Sequence, residues 1–302
     1  EVRFFNDPTF GNFIVRFGEK DALSRYLDVF RPITASSHLI TGESSPMYIC
    51  QPDVAKRIDK ALPFIKNIIL LRNPIDRLYS EHWFKLSLAP QNSGQDVHSS
   101  IFEVCTLQEM AIYNYCNISS LIGDIDSISY ESIRNVTSCY DEMYYKVRRL
   151  SPTHYDCIPG GKYEGMCRPD IPVGIGCNVL GIRNSLYVLQ LKEWVEVFNE
   201  DRLKIIPSEA FYEDPATILS EVIHFLKIRE EEEFDWSFIG AKAYNIVSGR
   251  GPGLSIGGQT SESLSDKYPP MDPRFRKELE SYFSPFNQML AELLKRPNFW
   301  DY

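Results

Sequence analysis

This 302-residue chain predicts an α/β fold, a mainly parallel sheet flanked by helices, and three features carry the prediction. Ile68, Ile69, Leu70 and Leu71 form a short unbroken apolar run, which reads as a strand buried on both faces of a parallel sheet. Late in the chain "SLYVLQLKEWVEVF", "LKIIPSE" and "ATILSEVIHFLKI" read as helix, strand and helix, the succession that builds such sheets. A hydrophobic content of 43% over this length supplies a full core in one large or two modest domains.

In order, the stretch from Glu1 to Pro46 is mixed: "VRFF" ends a strand, and "DALSRYLDVF" is an amphipathic helix with Ala22, Leu23, Tyr26, Leu27 and Phe30 on its apolar face. Asp53 to Leu62 is a second short helix. The strand at 68–71 delivers Arg72 at its carboxyl end. Asn73 suits the cap of the following helix and Pro74 its first position, where a missing N–H needs no partner. Free backbone N–H groups and a positive dipole end would then lie beside Arg72 and favour an anion. Ser80, eight residues after Arg72, adds a hydroxyl. An ordinary strand-to-helix turn with a surface arginine fits the same residues equally well. Residues 106–179, rich in Cys, Tyr, Ser and Pro, show no sustained periodicity and read as an insertion crossing the surface. Beyond the late helix–strand–helix unit, Gly249–Lys267 is a Gly- and Ser-rich loop. "DPRFRKELESYFSPFNQMLAELL" closes the chain as a long helix with Phe275, Leu279, Tyr282, Phe283 and Phe286 inward and a bend at Pro285.

The net charge of −9 argues against a protein that wraps nucleic acid, so any anion site must be local. Cysteines stand at 50, 105, 116, 139, 157, 167 and 177, six of the seven between Cys105 and Cys177. Their spacing is wide and irregular with only His154 among them, which suits zinc poorly. The same segment holds two glycosylation sequons, Asn117-Ile118-Ser119 and Asn135-Val136-Thr137. Together these favour a disulfide-braced, glycosylated insertion in a secretory or lumenal protein. No stretch approaches the roughly eighteen consecutive apolar residues of a membrane span. The chain opens on Glu inside what reads as structured sequence, so a preceding portion with a signal peptide or membrane anchor is expected.

"NIILLRNPIDRLYSEHWF" resembles the 3′-phosphate-binding strand, turn and helix of sulfotransferases that use 3′-phosphoadenosine 5′-phosphosulfate. There an arginine after the strand and a serine eight residues later grip the 3′-phosphate, and Arg72 and Ser80 match them. "EVRFF" with "YLDVF" resembles the stretch of the Golgi carbohydrate sulfotransferases that opens with the catalytic glutamate, which places Glu1 in that role. "GESSPMY" falls at their substrate-side turn. "RNSLYVLQLKEWVEVFNEDRLKIIPSEAFYEDP" resembles their late helix–strand unit and "YPPMDPRFRKELESYFSPFNQMLAELL" their C-terminal helix. Within the group the likeness is to the N-acetylgalactosamine 4-sulfate 6-O-sulfotransferases, and it covers most of the chain outside 106–179. Ser44 stands where the heparan sulfate branch has a lysine, "SESLSDKYPP" lacks that branch's Lys-Gly-Arg loop, and Ser185 replaces a usual glycine before the Leu-Tyr pair. The family's 5′-phosphosulfate loop would precede Glu1.

The resemblance implies a P-loop-like α/β sheet in one domain over 1–302, sulfuryl transfer from the nucleotide donor to a hydroxyl of a glycosaminoglycan-like carbohydrate, and no metal. It implies a Golgi-lumenal or secreted setting, a sulfated polysaccharide or glycan acceptor, no nucleic-acid partner, and membrane attachment only through a preceding anchor. Glu1 would be the general base, and Arg72 and Ser80 would hold the donor's 3′-phosphate. Around them, Arg77 would help the anion or pair with Asp76 or Glu81. Tyr187 would line the adenine or sit in the core, and His82 and Trp83 would face the cleft or the core. Glu43 would be a second acid or part of a surface turn. A nucleotide kinase shares the sheet, but its Gly-x-x-x-x-Gly-Lys-Ser/Thr loop is not in the sequence. The remaining rival is a secreted glycan-binding protein that kept this fold and lost donor binding.

Overall fold

The computed structural model describes residues 40–87, 95–147, 149–150, 161–167, 181–228 and 269–297, together with residues 5, 23, 24, 26–28, 30, 156, 157, 159, 299 and 300. The loop at 249–267 and Glu1 lie outside the described residues. The described elements are α1 (Val54–Ala61), β1 (Asn67–Leu71), α2 (Pro74–Ser87), α3 (Gln95–Tyr115) and α4 (Tyr130–Val147). After them come α5 (Gly181–Ser185), α6 (Tyr187–Val197), β2 (Leu203–Pro207), α7 (Ser208–Glu213), α8 (Pro215–Leu226) and α9 (Pro273–Leu293).

β1 and β2 are hydrogen-bonded neighbours and run parallel. At their starts the Asn67 amide donates to Arg202 O at 2.8 Å, and just past their ends the Asn73 amide donates to Glu209 Oε1 at 2.7 Å. The α/β class expected from the sequence is therefore the one found. One part of that reading needs correction: β1 is not buried along its length, since Leu71 is buried but Leu70 is 52% exposed. Successive side chains of a strand point to opposite faces, so Leu70 and Leu71 lie on different sides of β1 and it is the Leu71 side that is covered.

The chain gathers into two compact units, residues 1–69 with 190–204 and residues 70–189 with 205–302. In the first, α1 buries Val54, Ala55 and Ile58, and Glu193 of α6 accepts from the Asp53 amide at 2.9 Å and pairs with Lys56 at 3.0 Å. Arg202 ties the entry to β2 back to α1 through Asp59 at 2.7 Å. Glu43 accepts from Ser45 Oγ at 2.6 Å, Tyr48 Oη at 2.8 Å and Tyr26 Oη at 3.1 Å.

In the second unit, α9 runs unbroken through Pro285 and buries Phe275, Leu279, Phe283 and Phe286, four of the five residues expected to face inward. The fifth, Tyr282, is half-buried. Residues 106–179, expected to be irregular, contain the end of α3 and all of α4, whose Tyr113 and Tyr140 rings stack at 4.1 Å. Disulfides Cys116–Cys139 and Cys157–Cys167 brace this segment, and Cys105 is disulfide-bonded as well. Cys50 is a thiol whose Sγ lies 3.7 Å from Gln190 Oε1. No helix among the described residues is long and apolar enough to cross a membrane.

Candidate functional site

β1 ends at the buried Leu71 and the chain turns at once into α2. Asn73 builds the turn. Its Oδ1 accepts from the amides of Ile75 at 3.0 Å and Asp76 at 3.3 Å, which caps the helix as its sequence position suggested. Pro74 has no amide to place. The Asn73 amide goes to Glu209, whose other oxygen accepts from Trp300 Nε1 at 3.3 Å. The free N–H groups that the sequence seemed to offer an anion are thus committed, because buried amides find partners and these side chains supply them. What remains at the turn is the helix dipole and the side chains.

Arg72 is half-buried and its backbone oxygen accepts from Tyr187 Oη at 3.0 Å. Its guanidinium makes no hydrogen bond or ion pair with any described residue. The same holds for the Ser80 hydroxyl, two turns into α2. Their neighbours are committed. Asp76, one turn before Ser80 on the same helix face, pairs with Arg276 at 2.8 Å, so its charge at the turn is neutralised. Arg77 donates through Nε and Nη2 to Ser185 Oγ at 3.0 and 2.7 Å, through Nη2 to Gly181 O at 2.5 Å, and through Nη1 to Glu81 at 2.7 Å. Of the two roles open to Arg77, the pairing with Glu81 is the one found. Ser185, noted as standing in place of a glycine, is the hub of this clamp, and its hydroxyl donates to Pro74 O at 3.2 Å.

Other expected candidates fall in the core. His82 and Trp83 are buried, with His82 stacked edge-on to Phe102 at 5.2 Å. Tyr187 is buried, 5.6 Å from the Trp300 ring.

Near the start of the chain, Phe5 is buried, four residues after Glu1. Its amide donates to Tyr48 Oη at 3.3 Å, and its ring meets those of Tyr26 and Tyr48 edge-on. Burial pushes the Tyr48 phenol up to about 12 and drives Tyr26 up as well, with Glu43 adding to both. Both phenols stay donors at any ordinary pH. Glu43, with three hydroxyls donating to it, anchors this turn. Among the described residues no group of three or more His, Cys, Asp or Glu side chains is placed to share a metal ion.

No family model matches the chain. It is 24% identical over 281 residues to a membrane-associated sulfotransferase of Dictyostelium discoideum, covering 86% of the chain and 53% of that protein. It is 30% identical over 299 residues to a mouse bifunctional heparan sulfate N-deacetylase/N-sulfotransferase 3, covering 98% of the chain and 26% of that protein. Among solved structures, a sulfotransferase from Alicyclobacillus acidocaldarius matches over 98% of the chain and 83% of its own, with a TM-score of 0.46 and 19% identity. The chain thus spans about half the length of the first relative and about a quarter of the second. These relatives are sulfotransferases, of membrane-associated and heparan sulfate types, so the resemblance read from the sequence holds at that level.

Proposed function

We propose that this chain is the catalytic domain of a carbohydrate sulfotransferase, a single domain over 1–302 in which 106–179 is a cysteine-rich, glycosylated insertion. It moves a sulfuryl group from 3′-phosphoadenosine 5′-phosphosulfate to a hydroxyl of a glycosaminoglycan-like chain in the Golgi lumen or after secretion. The observation that supports this best is the uncommitted pair, Arg72 and Ser80. Arg72 stands at the carboxyl end of a parallel strand, where ligands of α/β sheets bind, and every charged neighbour on the turn has a partner. A guanidinium and a hydroxyl free to donate suit a terminal phosphate. Glu1, as general base, takes the proton of the acceptor hydroxyl. That oxygen bonds to sulfur in line as the bond from sulfur to the 5′-phosphate oxygen breaks, leaving 3′,5′-adenosine bisphosphate. Likeness to the N-acetylgalactosamine 4-sulfate 6-O-sulfotransferases favours chondroitin or dermatan sulfate as acceptor, and the heparan sulfate relative favours heparan.

The test is transfer of radiolabelled sulfate from the nucleotide donor to chondroitin, dermatan and heparan acceptors by the full-length protein and its Glu1→Gln variant. Turnover in the variant is expected to fall by about two to four decades with donor binding little changed. Full activity in the variant removes Glu1 from the mechanism. Glycan binding without transfer by the parent replaces the enzyme with a glycan-binding protein on this fold.

A further inference from the structure

Glu109 lies on α3 with 3% of its surface exposed, and three donors converge on it. The Gly181 amide reaches Oε1 at 3.0 Å, while the Ile182 amide and Tyr140 Oη reach Oε2 at 3.0 and 3.1 Å. The two amides open α5, and α5 receives Arg77 of α2 at Gly181 O and Ser185 Oγ. Two residues further on, Tyr187 donates to the backbone oxygen of Arg72. One carboxylate on the helix leading into the cysteine-rich segment therefore anchors the stretch that grips the anion turn at both Arg77 and Arg72.

We infer that Glu109 is a positioning residue for the anion turn: its carboxylate fixes residues 181–187, and these set where Arg72 presents its guanidinium to the donor's terminal phosphate. The inference rests on the donor reading of Arg72 and Ser80. An ionised carboxylate accepts all three donors, whereas protonation turns one of its two oxygens into a donor and forces the Ile182 amide or Tyr140 to rearrange. Burial raises the Glu109 carboxyl to about 7, although its three hydrogen bonds pull the other way. The titratable and charged groups around it are Tyr140 of α4, Tyr113 of its own helix, Glu81 of α2, Tyr282 of α9, and Arg183 of α5 acting on Tyr113. Above pH 7 the ionised carboxylate accepts all three donors at once, although its buried charge costs the fold as a whole; as pH falls through 7 it gains a proton and one donor is released.

The experiment uses the full-length parent, Glu109→Gln and Tyr140→Phe. Binding of 3′,5′-adenosine bisphosphate is measured by calorimetry at pH 6 to 8, with amide exchange at Gly181 and Ile182 measured without nucleotide. Gln keeps the size but places an amide NH2 against the donors. Glu109→Gln should bind about tenfold more weakly than the parent at pH 8 and match it at pH 6, with the Gly181 or the Ile182 amide less protected. Ionisation of the phosphate itself is common to both proteins and cancels in the comparison. Tyr140→Phe keeps the carboxylate but removes one donor to its charged form, so the parent's transition should move to higher pH. A Gln variant with the parent's affinity, pH profile and amide protection would overturn the inference. A parent that binds no nucleotide, while Glu109→Gln still loses protection at Gly181 or Ile182, overturns the donor reading and supports Glu109's hold on the turn.

Discussion

Replacing Arg72 and Arg77 separately by Ala should give opposite signatures, although they lie five residues apart. Arg72 makes no hydrogen bond or ion pair with any described residue through its side chain, so Arg72→Ala should change unfolding free energy by less than about 0.5 kcal/mol. It should cost a charge-assisted hydrogen bond to the phosphate, about 1.5–3 kcal/mol, or roughly one to two decades in affinity for 3′,5′-adenosine bisphosphate. Arg77 is the reverse case. Its side chain is 22% exposed, Glu81 is 19% exposed, and four hydrogen bonds leave it for Ser185, Gly181 and Glu81. Arg77→Ala removes the ion pair with Glu81 and takes the guanidinium from the Gly181 carbonyl and the Ser185 hydroxyl. The expected cost is about 2–4 kcal/mol, seen as a fall in melting temperature of roughly 5–15 °C. The assays are thermal unfolding by circular dichroism and calorimetric titration, both on the full-length proteins. An Arg72→Ala protein destabilised as much as Arg77→Ala, with unchanged nucleotide affinity, would refute the reasoning.

Three further outcomes are expected of the same fold. Since burial raises Glu109 from 4.5 to about 7 in the folded chain, its contribution to stability is full below the unfolded value and lost as pH rises through 7. That gap is about 3 kcal/mol, so urea unfolding between pH 4.5 and 8 should slope downward in the parent, and the slope should shrink by that amount in Glu109→Gln. Replacing Cys116 and Cys139 together by Ser opens a link across 23 residues between α3 and α4, and should lower unfolding free energy by about 3 kcal/mol in urea titrations. An unchanged midpoint would mean the bridge constrains nothing. Asn117, in a left-handed turn after α3, and Asn135, on α4, are both exposed. Protein from a secretory host should carry glycan on one or both by peptide mapping, and bare asparagines at both would count against a lumenal protein.

The strand, turn and helix from Asn67 to Ser87 were legible because local rules write them: an unbroken apolar run, an asparagine able to cap, and a proline at the first helical position. The partners of that turn were not legible. Glu209 takes the Asn73 amide from 136 residues away and Gly181 takes Arg77 from 104, distances over which no periodicity carries information. The helices of the cysteine-rich segment were hidden for a different reason. Along α3 the buried positions 101, 102, 105, 106, 108, 109, 112 and 113 follow the helical period, but three of them are Thr106, Gln108 and Glu109. A search for apolar residues reads those as interruptions. Each is satisfied inside the fold: Thr106 Oγ1 donates to Phe102 O at 2.7 Å, Gln108 Nε2 donates to Met166 O at 2.7 Å, and Glu109 accepts three donors.

The pairing of those buried polar groups also bears on what Arg72 and Ser80 mean. A half-exposed arginine with no protein partner is hydrated at little cost, and by itself it marks nothing. Here, however, the turn holds several charged and polar groups in a few residues, and it resolves Asn73, Asp76, Arg77, Glu81 and Ser185 into specific partners. Satisfying Arg72 in the same way would have needed one more acid within reach, and Asp76 is nearby but engaged with Arg276. A positive charge left unpaired at the carboxyl end of a parallel strand, beside a helix N-terminus and near a spare hydroxyl, creates a local positive potential in a molecule whose net charge is −9. Reversing that charge is therefore the most economical test of the arrangement. Arg72→Glu should abolish nucleotide binding while leaving melting temperature within about 2 °C of the parent, because the substitution changes the turn's potential and none of the hydrogen bonds that build it.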